Sequence, residues 1–171
     1  MKLPIPDSIR RIADSEDRKL AWYFFVFFSR FEYALKRHSQ YLMPGTGDAQ
    51  PNWDRFASDH ATKFDPTSTP ALGIAIKYFK TSPPRKQLRN NGEMSWSEPI
   101  QHDGREPLLV WLLRVVRIVR NNLFHGGKFL MLPVSDPSRD RNLITNAVVI
   151  LDACLKLDPS VNSKFNEGID E

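Results

Sequence analysis

Arg120, Asn121 and His125 fall within six consecutive residues, a grouping with a definite chemical capability. A guanidinium stabilises negative charge on a phosphate, an imidazole gives or takes a proton near neutrality, and an amide orients either one. At about 100° per residue, Arg114, Arg117, Arg120, Asn121 and His125 share an arc of roughly 140° on a helical wheel. Arg117, Asn121 and His125 stack along one edge at i, i+4 and i+8, and Arg120 reaches the same arc from the other side. Clustered arginines repel one another, so the pattern fits a site that awaits an anion. The same spacing also describes a solvated basic helix face, with a histidine in the last turn that only caps carbonyls.

The element that must position these residues is a helix predicted over 107–124. Trp111, Leu112, Val115, Val116, Ile118, Val119 and Leu123 form its broad apolar face, and Gly126-Gly127 supplies a left-handed stop. A long helix is predicted over 15–42, ended by Pro44-Gly45, with Phe24, Phe28, Phe31 and Leu35 on one stripe. Trp22, Tyr23, Phe25 and Phe27 add aromatic surface on its other sides, a surplus that suggests a partner subunit. Shorter helices are expected over 53–63, capped by Asn52, and over 70–80, capped by Thr69 with Pro70 in the first turn. A last helix is expected over 138–157. Residues 81–106 read as a Pro/Gly-punctuated insert with at most a hairpin around Asn91-Gly92. These elements make one all-α domain over 15–157, a bundle of four to five principal helices, preceded by a lead-in (1–14) and followed by a flexible tail (158–171).

The 171 residues and 41% apolar content suit one domain. The lone Cys154 cannot form an internal disulfide, and no zinc-ligand spacing surrounds it, so a reducing cytoplasmic setting is expected. The start of the chain lacks the apolar run of a secretory signal, and the run Leu20–Phe28 is too short to cross a bilayer. The net charge of +4 favours a polyanionic partner only weakly.

Arg120-Asn121-Asn122-Leu123-Phe124-His125, followed by Gly126 at the end of an apolar helix, resembles the R-x(4–6)-H signature of the HEPN superfamily. The resemblance in helical layout covers 15–157. It implies a HEPN-like bundle and a metal-independent endoribonuclease without cofactor, of the kind found in toxin–antitoxin and antiviral systems. It also implies a homodimer whose two motifs face each other, with RNA as substrate and an antitoxin or inhibitor protein as a further partner. Arg120 and His125 then carry catalysis, Asn121, Arg117 and Glu32 support it, and Arg114, Arg117 and Lys128 bind the RNA backbone. Glu32 serves equally well as an intrahelical partner for Lys36. One departure is Gly127, which stands where the subgroup paired with a nucleotidyltransferase antitoxin commonly carries a modified tyrosine.

Other HEPN proteins have lost catalysis, so the alternative is a non-catalytic dimer that binds RNA, a nucleotide or a protein. His38, His60 and His102 read as surface or capping residues. Trp53 and Trp96 have faces for stacking on unpaired bases, although a tryptophan more often pins a loop. No Gly-rich phosphate loop, nucleophile elbow or helix-turn-helix pair stands out.

Overall fold

The computed structural model describes residues 18–124 and 137–168. Six helices and one two-stranded sheet occur among them: α1 (Arg18–Arg37), α2 (Trp53–His60), α3 (Pro70–Thr81), β1 (Gln87–Asn90), β2 (Glu93–Trp96), α4 (Leu108–Phe124), α5 (Pro137–Leu155) and α6 (Pro159–Asn166). His125, Gly126-Gly127, Lys128 and the 1–14 lead-in lie outside the described residues.

The helix starts follow their caps. Asn52 Oδ1 accepts from Arg55 N at 3.0 Å, and Thr69 Oγ1 accepts from Leu72 N at 3.1 Å with Pro70 at the first helical position. Five helices converge on one core. α5 lies against α1, α3 and α4, α2 lies against α4, and α6 closes over α1. The expected stripe of α1 is buried: Phe24, Phe28, Phe31 and Leu35 expose no more than 2%. On α4 the whole predicted apolar face is buried. Leu113, which the wheel places among the arginines, is buried as well at 1%, because α2, α3 and α5 enclose α4 on more than one side.

Three boundaries differ from expectation. α1 ends at Arg37 rather than near residue 42. Tyr41 N then turns back to His38 O, Met43 N bonds Gln50 O, and Asn52 N bonds Tyr41 O at 2.7 Å. The chain satisfies its backbone across a 42–51 loop and swings the Tyr41 side chain into the core. The predicted 53–63 helix stops at His60, with residues 61–63 in a turn. Residues 159–166 form α6 instead of a flexible tail. Asp158 caps it through Ser160 N and Val161 N, Pro159 occupies the first turn, and Val161 is fully buried. Arg30 then holds the far end, donating to the carbonyls of Phe165 and Glu167, while Phe27 meets Phe165 edge-on at 5.2 Å.

The insert is tied down on one side. Asn91 and Gly92 both have positive φ, 50° and 87°, the signs that a two-residue hairpin turn matched to strand twist requires. β1 and β2 pair antiparallel around it, Asn90 opposite Glu93. Trp111 Nε1 donates to Ile100 O, Asn122 Nδ2 to Arg85 O, and Arg139 to Pro83 O. The insert is therefore hydrogen-bonded to α4 at two levels.

Burial works against the charge of the Asp158 carboxyl. The N–H groups of Val161 and Ser160 and the imidazoles of His60 and His38 outweigh it and hold its pKa below the ordinary value. A depressed pKa contributes stability that is complete above the unfolded value of about 4 and is lost as pH falls through the folded value. Asp158→Asn is expected to remove the part of the acid-side loss that this carboxyl causes, measured by urea unfolding at a series of pH values. An unchanged acid profile would contradict this assignment. Asp158→Ala, which also removes the cap, should cost about 1 kcal/mol at neutral pH.

Candidate functional site

α4 presents its polar edge beside α1 and the loop that leads into α2. A cleft of about 330 Å³ opens there, with Phe28 and Glu32 from α1 on one wall, and Arg117, Arg120 and Asn121 from α4 on the other. Gln50, Pro51 and Trp53 close its end. Phe28 and Trp53 are buried and supply a rigid apolar base, so the polar groups project from fixed elements rather than from a loose surface.

The three arginines stand in different environments. Arg114 pairs with Glu106 at the N-terminal end of α4 and is not part of the cleft wall. Arg117 donates to Asp54 at 2.9 Å. That pair is largely exposed on the Asp54 side, so it is worth at most about 1 kcal/mol and yields readily to a stronger anion. Arg120 lays its guanidinium over the Phe28 ring, 5.5 Å from the centroid, and donates to Asn121 Oδ1 at 3.2 Å. A guanidinium held by an aromatic face and a neutral amide keeps its full charge for a ligand.

Of the residues the sequence singles out, Arg117, Arg120, Asn121 and Glu32 share this cleft, and Arg114 stands apart from it. Glu32 forms no ion pair with Lys36, and faces the arginine wall instead. His125 follows the last residue of α4 and lies, with Lys128, outside the described residues. Asn122, one residue along the motif, turns the opposite way: it is 8% exposed and its amide holds the Arg85 carbonyl at 2.9 Å.

His60 is not a surface residue. It is 5% exposed, and its Nε2 lies 3.1 Å from Tyr41 Oη and 3.2 Å from Asp158 Oδ2. Burial and the neighbouring Asp158 and Asp59 carboxylates push the Tyr41 phenol up to about 12. His60 Nδ1 is buried and has no hydrogen-bond partner. The group joins the ends of α1 and α2 to the cap of α6. Tyr41 and Asp158 are 19 and 98 residues from His60 in sequence, and the Asp158-Pro159 cap signal was the only local sign of it. His102 bonds the Glu106 carbonyl at 3.0 Å, and His38 Nδ1 accepts from Gln40 N, so both serve the local backbone. Trp53 is buried between Phe28 and Phe31, at 5.2 Å from each, which removes it as a platform for bases.

Among the described residues no group of three His, Cys, Asp or Glu side chains is placed to hold a metal ion, and no helix is long and apolar enough to cross a membrane. Neither family models, curated proteins nor solved structures match the chain.

The two adjacent asparagines separate packing from site chemistry. Asn122→Ala leaves the Arg85 carbonyl without its donor and is expected to cost about 1–3 kcal/mol in urea unfolding. Asn121→Ala, at an exposed position, should stay within about 0.5 kcal/mol of wild type. Equal losses from the two would refute this division.

Proposed function

We propose that the chain is a HEPN-like endoribonuclease, and that the cleft between α1 and α4 receives the RNA phosphate. The observation that carries the reading is the placement of Arg120, Arg117 and Asn121 opposite Glu32 on a buried aromatic base. These are four of the residues that the R-x4-H resemblance selects. The remaining one, His125, adjoins Phe124 at the end of α4 in sequence.

In the proposed reaction the ribose 2′-oxygen attacks the adjacent phosphorus, forming a 2′,3′-cyclic phosphate as the bond to the 5′-oxygen breaks. The 2′-hydroxyl loses a proton and the departing 5′-oxygen gains one. His125 handles one of these transfers. Arg120 stabilises the charge that accumulates on the non-bridging oxygens, where a preorganised cation is most effective. Asn121, fixed by Arg120, orients the phosphate. Arg117 exchanges Asp54 for the RNA backbone. Glu32 serves as a second acceptor for the 2′-hydroxyl or as an orienting partner for the imidazole. The same reading includes a homodimer, a role as a toxin or defence effector held in check by an inhibitor protein, and action in the cytoplasm.

A non-catalytic RNA-binding reading uses the same cleft. It is favoured by the carboxylate partners that Arg114 and Arg117 already have, which describe a cationic surface in balance rather than one under strain. Incubation of the purified protein with mixed tRNA, ribosomal RNA and messenger RNA in EDTA separates the two. Wild type should leave 2′,3′-cyclic phosphate ends, and an Arg120→Ala/His125→Ala variant with an unchanged circular dichroism spectrum should leave none. Identical behaviour of the two proteins on all three pools would remove the nuclease reading.

A further inference from the structure

We infer that the exposed aromatic edge of α1 is a base-stacking platform for single-stranded RNA, led by Trp22 stacked on Phe25 and continuous with the phosphate cleft. The inference rests on the proposed nucleic-acid role of that cleft and adds its substrate class.

Trp22 is 60% exposed and Phe25 is 37% exposed, and their rings stack at 5.6 Å with an interplanar angle of 24°. A ring pair held parallel on a helix offers flat apolar faces at little further entropic cost. The position of the pair ties it to the cleft. At about 100° per residue, Phe25 and Glu32 fall within about 20° of one another on α1, and two turns of helix separate them by about 10 Å. Phe28, between them in sequence, is the aromatic base of the cleft and bears Arg120. Aromatic faces thus lead along one edge of α1 to the guanidinium, so a strand whose phosphate meets Arg120 brings a neighbouring base to Phe25 and Trp22.

Charge selects between this occupant and a second copy of the chain. α1 carries Arg18, Lys19, Arg30, Lys36 and Arg37 against a single acid, Glu32. Two such helices laid face to face place like charges together, whereas a nucleic acid supplies both the phosphates for the cations and the π-faces for the rings. A single strand fits where a duplex does not, because paired bases hide their faces within the stack.

The test measures equilibrium binding, in EDTA, of a short single-stranded oligoribonucleotide carrying 2′-deoxy substitutions that block cleavage. Its abasic counterpart and a duplex of the same length are measured alongside. Wild type is expected to bind the base-bearing strand about tenfold more tightly than the abasic strand or the duplex. Trp22→Ala should erase most of that tenfold preference, Trp22→Tyr should restore it, and neither should alter abasic binding. Equal affinity of wild type for the base-bearing and abasic strands overturns the proposal without using any variant. So does a Trp22→Ala protein that keeps its RNA preference but changes from dimer to monomer in sedimentation velocity, which would make this edge a self-association surface. A wild type that binds the strand with the expected preference, yet never cuts unmodified RNA, leaves the platform standing and removes the nuclease reading alone.

Discussion

Phe28 serves both the core and the cleft. It stacks on Trp53 at 5.2 Å inside the protein and carries the Arg120 guanidinium at 5.5 Å at the cleft. Burying a phenylalanine of this kind stabilises the fold by about 1.5–3 kcal/mol, well above the roughly 0.5–1 kcal/mol of a cation–π contact near water. Packing therefore fixes the ring, and the ring then fixes the arginine. From Phe28 the contacts run through Trp53 to Phe31, edge-on to Phe56 at 5.5 Å, and on to Tyr41 and His60. The last polar link reaches Asp158 and the start of α6. One aromatic column thus joins α1, α2 and the cap of α6, and its outer end is the base of the candidate site.

The same logic explains why equally spaced arginines on one helix differ. Arg114 and Arg117 meet carboxylates, Glu106 and Asp54, contributed by the segments that flank α4 and begin α2. Arg120 meets Phe28 and the Asn121 amide. The first two are partly neutralised. Arg120 is oriented with its charge intact, so the cleft has one preorganised cation and one that can be exchanged into it. A ligand phosphate needs both properties, since an immobile pair would exclude it and a mobile row would bind it without direction.

Much of the mostly helical fold was legible because its signals are local. Asn52, Thr69 and Pro70 mark helix starts by their own hydrogen-bonding chemistry, and the apolar period of α4 anticipates its buried face residue by residue. Glu32 also was legible, since its position on α1 follows from the stripe that buries Phe28 and Phe31. What was not legible depends on distant partners. Leu113 is buried because several helices surround α4, which a single-helix wheel cannot represent. His60 looked like a surface histidine because its acid lies 98 residues away. α6 was missed although Asp158-Pro159 is a sound cap, because composition alone made the segment look polar and Val161 has no apolar neighbour at helical spacing before Phe165. The fate of Asn122 shows the limit within the motif: two adjacent asparagines with the same propensities are divided between packing and site by the Arg85 carbonyl.

The most direct test of the central claim is a crystal structure with a short single-stranded RNA whose cleavable nucleotide lacks the 2′-hydroxyl. The account requires a backbone phosphate in the cleft between Glu32 and Asn121, with the Arg120 guanidinium hydrogen-bonded to it and still resting on Phe28. A phosphate bound elsewhere, with Arg120 turned away from the ligand and the cleft occupied only by solvent, would contradict it.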